Sequence, residues 1–164
     1  MRKTENDVFD KFYSKVPQCQ RELLRKFRLA HPYKHLTVDG VSWKYTSYGQ
    51  WKDNLLLLTG GTGIGEAMSL PFMALENEYR IVTPSYPEVA IINELVHGIT
   101  KIPETEGIHQ VNILGQSFGG ILAQVIVHKY PEKVSKLILS HTTTTSPPVD
   151  QTITVKKQKR SKGF

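Results

Sequence analysis

Residues 111–120 constrain this chain more than any other stretch. The segment 111–114, Val-Asn-Ile-Leu, reads as a buried strand. It runs into Gly115-Gln116-Ser117-Phe118-Gly119-Gly120, and a helix is predicted over 117–130. Phe118, Ile121, Leu122, Val125 and Ile126 share one face of that helix, and Pro131 stops it. A serine between strand and helix, with glycines two residues before and two after, is the pattern of a nucleophile elbow. The serine must sit on a strained turn that lifts its hydroxyl clear of the sheet. Gly115 and Gly119 remove side chains that would block that turn, and Gly120 lets the helix start close to the strand. The N–H of Phe118, at the helix N-terminus, then faces developing negative charge. The competing reading is a tight strand-to-helix turn with no chemistry.

The flanking pattern supplies the sheet. A helix is predicted over 17–30, with Leu23, Leu24, Phe27 and Arg28 at helical spacing and Pro32 as its stop. Lys34–Val38 and 41–46 flank Asp39-Gly40, a hairpin signal. The run 55–58 is wholly leucine, as in a strand covered on both faces. A glycine-rich loop, 60–65, and a helical stretch to about Glu76 follow. Strands are predicted at 79–83 and Val134–Ser140, with a helix over 87–102 between the first of these and the 111–114 strand. A hairpin followed by strand–helix alternation implies an α/β fold with a mostly parallel sheet and right-handed crossovers. Ligands of such sheets sit beyond the carboxyl ends of the strands. The loops 60–65, 84–87, 115–117 and 140–145 all reach that edge.

Composition narrows the function classes. A chain of 164 residues fits one domain and buries a real core. No apolar run is long enough to span a membrane. Residues 1–15 mix acids and bases without an apolar stretch, so no secretory signal is expected, and the expected compartment is cytoplasmic. Cys19 is the single cysteine, so no intrachain disulfide can form. The net charge of +6 resides almost entirely in Lys156, Lys157, Lys159, Arg160 and Lys162. The body is nearly neutral, and no nucleic-acid partner is expected. Trp43, Trp51, Tyr45 and Tyr48 read as hairpin packing. His31 and His35 lack further ligands at metal spacing, so neither a metal nor a cofactor is expected.

With the hairpin, Leu55-Leu56-Leu57-Leu58-Thr59-Gly60-Gly61, the elbow, and Pro131-Glu132-Lys133-Val134 leading into Leu137-Ile138-Leu139, the chain from about 34 to 148 resembles an α/β-hydrolase-fold protein. The subgroup it resembles is maspardin-like, through Tyr79-Arg80-Ile81-Val82 running into Tyr86-Pro87 and through Gly119-Gly120 before Leu122-Ala123-Gln124. The resemblance implies an N-terminal helical extension over 1–33, an incomplete hydrolase core over 34–148, and a basic tail or start of a cap over 149–164. It implies Ser117 as nucleophile, with the N–H groups of Gly61 and Phe118 forming the oxyanion hole. Gln116, Tyr86 and His141 are expected at the pocket. Thr59 stands where family members carry a histidine, which removes a hydrogen bond and leaves the Gly61 N–H in place. A phosphate cradle in 60–65 is disfavoured, because Glu66 stands where either a glycine or a lysine would be needed.

The family order is Ser, then Asp or Glu, then His. Downstream of Ser117 the acids are Glu132 and Asp150, and the histidines His128 and His141. His128 lies about 16 Å along the helix, toward the wrong edge. His97 and His109 also fall toward that edge. His141 ends a strand on the catalytic edge, where a pocket-wall role is favoured over that of a base. The expectation is therefore a sheet truncated after the strand that follows the nucleophile helix, without its acid and base. Two functions follow: a serine hydrolase of small esters, thioesters or amides, or a non-catalytic binding protein of the maspardin-like kind. An unpaired Val134–Ser140 edge would favour a protein partner or self-association.

Overall fold

The structure is a computed structural model and describes residues 5–89 and 91–144. Its element order is α1 (Glu5–Phe12), α2 (Gln18–Ala30), β1 (Lys34–Val38), β2 (Val41–Tyr48), β3 (Asn54–Leu58), a 3₁₀ turn (Gly65–Met68), α3 (Ser69–Leu75), β4 (Arg80–Ser85), α4 (Ile92–Thr105), β5 (Val111–Gln116), α5 (Phe118–Lys129), a second 3₁₀ turn (Pro131–Lys133) and β6 (Val134–Ser140). The six strands form one sheet in the order β1-β2-β4-β3-β5-β6. β1 pairs antiparallel with β2, and β2 with β4, while β3, β4, β5 and β6 run parallel. The mostly parallel α/β sheet with an N-terminal hairpin is thus present. The hairpin turn has φ of 49° at Asp39 and 79° at Gly40, the paired left-handed turn that Asp-Gly favours.

Both faces of β3 are covered. Leu56 and Leu58 join Trp43, Val82, Ile99, Ile113 and Leu122 beneath α4 and α5. Leu55 and Leu57 join Phe27, Met68, Phe72 and Ile81 beneath α2 and α3. Full burial of each leucine contributes about 2 kcal/mol. α2 thereby belongs to the core. Phe27 meets Phe72 edge-on at 5.3 Å, and buried His31 brings Nε2 within 2.6 Å of Glu76 Oε2 at the end of α3. Of the hairpin aromatics, Trp43 and Tyr45 are core residues. Trp51 is half-exposed and donates to the Glu76 carbonyl, and Tyr48 meets His31.

The largest differences from the sequence reading are in three elements. The helix expected over 87–102 begins at Ile92, because extended Ile91 (φ −114°) is its N-cap and its carbonyl accepts from Glu94 and Leu95. It continues through Pro103 to Thr105. Proline lacks one helical donor, but here its ring is buried. The strand expected at 79–83 runs from Arg80 to Ser85, paired to β2 as far as Ser85↔Lys44. The helical stretch to Glu76 is split into the 3₁₀ turn and α3. The basic tail over 149–164 lies outside the described residues.

Candidate active site

β5 ends at Gln116 and α5 starts at Phe118, leaving Ser117 alone at the junction with φ 52° and ψ −119°. This left-handed backbone is costly for a residue with a Cβ and persists only where the surroundings dictate it. Here they do. A Cβ on Gly119 would collide with the carbonyl oxygens of Leu58 and Thr59, so α5 can approach β3 only because residue 119 is glycine. A Cβ on Gly115 would stand 2.6 Å from the Gly119 oxygen. The Ser117 N–H donates to the Ser140 carbonyl at 3.0 Å, and the Thr142 hydroxyl donates to the Ser117 carbonyl at 2.7 Å.

The loop after β3 closes in from the other side. A Cβ on Gly60 would lie 3.4 Å from Ser117 Cβ and 3.8 Å from Ser117 Oγ. At Gly61 the same position is open space. The Gly63 N–H donates to the Gly60 carbonyl at 3.0 Å, and the Tyr86 N–H donates to the Gly63 carbonyl at 2.7 Å. The Tyr86 hydroxyl donates to the Thr59 carbonyl at 2.9 Å, and its ring sits edge-on to Phe118. Burial pushes the Tyr86 phenol well above its ordinary range, which keeps it a donor. Gln116 is exposed and paired with Ser140. His141 follows β6 with φ 49°, exposed, its Nδ1 2.9 Å from Ser140 Oγ. Ser117, Gly60, Gly61, Tyr86, Phe118 and His141 therefore gather at the carboxyl edge.

Two other histidines are engaged elsewhere. His97 faces Asp39 at 3.2 Å, at the hairpin turn, and His31 is in the α2–α3 core. Among the described residues no three His, Cys, Asp or Glu side chains are grouped to hold a metal ion. A cavity at the opposite, amino end of the sheet, lined by Lys34, Tyr48, Trp51, Arg80 and Glu106, has its charges already matched. Glu106 accepts from Lys34 at 2.8 Å, Tyr45 at 2.9 Å, and Ser47 and Arg80 at 3.1 Å.

A family model described as the alpha/beta hydrolase fold matches residues 89–161, which includes the elbow. A meta-cleavage product hydrolase from Pseudomonas fluorescens superposes with a TM-score of 0.61 at 27% identity, over 68% of this chain and 46% of that one. The chain has the α/β-hydrolase fold. An epoxide hydrolase from Vigna radiata shares that fold at TM-score 0.66 and 20% identity, over 74% of this chain and 43% of the other. In sequence, the chain is 32% identical over 97 residues to a poly(3-hydroxyalkanoate) depolymerase of Ectopseudomonas oleovorans, 53% of this chain and 34% of the relative. It is 26% identical over 121 residues to epoxide hydrolase 4 of Mus musculus, 66% of this chain and 34% of the relative. The chain spans 34% of the length of these curated relatives and under half of the solved structures.

One feature beside the site escaped the motif reading. Glu66, the residue that spoils a phosphate cradle, accepts two hydrogen bonds of 2.7 Å from the Arg28 guanidinium. Burial alone would raise the Glu66 carboxyl, but the hydrogen bonds from Arg28 and Tyr33 outweigh it and hold it below the usual range. The signal was a charge, Arg28, on the apolar face of α2, which calls for a partner inside the fold.

Proposed function

We propose that this chain carries the nucleophile half of a serine hydrolase acting on esters, thioesters or amides of small acyl compounds. The observation that carries the reading is the left-handed Ser117, held between β5 and α5 by the close approach of Gly119 to β3. In this reading Ser117 Oγ attacks the carbonyl carbon. The Phe118 N–H, one of the unpaired donors of a helix start, and the Gly61 N–H stabilise the oxyanion. Gln116, Tyr86 and His141 form the pocket wall. The reaction needs a base and an acid to activate the serine. The described acid–histidine pairs, Glu76 with His31 and Asp39 with His97, do not involve Ser117. Neither pair supplies the acid and base of this reading. Incubation with a fluorophosphonate probe and mapping of the adduct tests the assignment. An adduct on Ser117, absent in Ser117→Ala, is the expected result, and an adduct elsewhere alone overturns it.

The second reading, a non-catalytic binding protein of the maspardin-like kind, is favoured by a different observation. β6 is the edge of the described sheet and leaves Leu137, Ile138 and Leu139 exposed by 36%, 52% and 40%. Such an edge suits a protein partner or a second copy of the chain. The compartment in either reading is cytoplasmic. No described helix is long and apolar enough to cross a membrane.

A further inference from the structure

The loop 60–65 is anchored on two sides. On the β4 side, Gly65 donates to Ser85 Oγ at 2.9 Å, and Tyr86 holds Gly63 and Thr59. On the other side the anchor is Glu66, the residue after the loop, whose side chain is 9% exposed. Its partner Arg28 is itself fixed. The guanidinium stacks 5.2 Å from the Phe9 ring and 5.8 Å from the Tyr13 ring, and Nη2 donates to the Tyr13 hydroxyl at 3.4 Å. Arg25 covers the same Phe9 ring at 4.7 Å and pairs with Asp10, closing α1 onto α2. The Tyr33 hydroxyl also bonds Glu66, and Lys44 Nζ lies 3.4 Å above the Tyr33 ring. Thus the segment before the sheet reaches the residue that ends the glycine loop through the bidentate Arg28 pair, with Tyr33 beside it.

Gly61 lies between Thr59 and Gly63, both held by Tyr86, and its N–H has no hydrogen-bond partner among the described residues. A glycine-rich loop held from the β4 side alone would sample more backbone states than one fixed on both sides, whereas oxyanion stabilisation requires a donor fixed before the reaction. We propose that Arg28 is a positioning residue: through Glu66 it clamps the N-terminal helices onto the loop 60–65 and so fixes the Gly61 N–H beside Ser117. The proposal rests on the reading of Ser117 as nucleophile. Arginine is required at this place because its planar fork matches both carboxylate oxygens, which a lysine ammonium does not.

The test is amide hydrogen exchange of the full chain read by mass spectrometry, comparing peptides over 60–65 with reference peptides in β5 and α5. Arg28→Lys keeps the charge and most of the stem while removing the fork. The expected result is loop exchange faster by about tenfold in Arg28→Lys and Glu66→Gln, with the reference peptides unchanged. The exchanged pair, Arg28→Glu with Glu66→Arg, recovers protection. Unaltered loop exchange in the folded single variants overturns the proposal, as does equal acceleration of loop and reference peptides. A second arm follows Ser117 labelling against fluorophosphonate concentration. A lower limiting rate with an unchanged half-saturating concentration is expected in Arg28→Lys, and labelling unaltered in both respects overturns the positioning role. A wild-type chain that is not labelled at Ser117 refutes the nucleophile reading alone, and the exchange arm still decides the clamp.

Discussion

The carbonyl of Ser117 accepts a 2.7 Å hydrogen bond from the Thr142 hydroxyl, while the Ser117 N–H donates to the Ser140 carbonyl. Both backbone groups of the strained residue are thus tied to the segment that ends β6. Thr142→Val keeps the shape and removes the donor. The Ser117 carbonyl still accepts from the Gly120 N–H at 2.9 Å, so no buried acceptor is orphaned. The expected loss is about 1 kcal/mol, read from urea unfolding midpoints. No change in midpoint would show that the Gly120 N–H alone suffices.

Gly98, on α4, lies directly against the indole of Trp43. A Cβ there would overlap the ring, and both residues are buried in the core beneath α4 and α5. Gly98→Ala would raise intrinsic helix propensity by about 1 kcal/mol, but the overpacking term of about 1–3 kcal/mol opposes it. The expected net result is a lower Tm with red-shifted Trp43 emission. A raised Tm would mean that Trp43 has room to move.

Glu106 is expected to contribute to the acid limb of stability. Burial alone would raise its carboxyl, but hydrogen bonds from Lys34, Tyr45 and Ser47 hold it below the usual range. Burial and the same contact push the Tyr45 phenol up to about 12. A depressed folded-state carboxyl contributes stability above its unfolded value, and that contribution disappears as pH falls through the folded value. Unfolding midpoints should therefore drop below about pH 4, near the ordinary glutamate value. Glu106→Gln should lower stability at pH 7 and flatten that decline. An unchanged slope would assign the acid limb to other carboxylates.

Much of this architecture was legible because it rests on local patterns. Asp39-Gly40 specifies its turn, Leu55–Leu58 can only be a strand covered twice, and the glycines around Ser117 need a tight junction. The start of α4 was misplaced because its cap, Ile91, has no capping side chain. The Arg28–Glu66 and His31–Glu76 pairs join residues far apart in sequence, so no spacing rule reveals them. A charged residue on an apolar helix face shows that a partner exists without saying which one.

Ser117 should hydrolyse a p-nitrophenyl ester slowly or not at all in this chain. The motive is that Ser140, not Ser117, has a histidine ring nitrogen in reach, at 2.9 Å. A serine without a base is a poor nucleophile, and the oxyanion donors alone leave only residual rate. Robust turnover abolished by Ser117→Ala would refute this, and its further loss in His141→Ala would make His141 the base.

The β6 edge is expected to set the association state. Within the sheet, Ile113, Leu114 and Gly115 of β5 pair with Leu137, Ile138 and Leu139, so the inner side of β6 is satisfied. No described strand lies on its outer side. Ile138 shares a face with Leu114, and the sheet surface there is open beside Leu75 and Tyr79. A parallel-sheet edge with three exposed aliphatic side chains templates pairing with another chain, and Lys136 is the single charge in the strand to oppose it. Light scattering after size exclusion should therefore give a mass above the monomer's that rises with concentration across the micromolar range. Ile138→Lys should shift the chain toward monomer, because a second charge on the edge repels a like strand. A wild-type monomer at every concentration would show that the edge is already covered, and the self-association reading would fall.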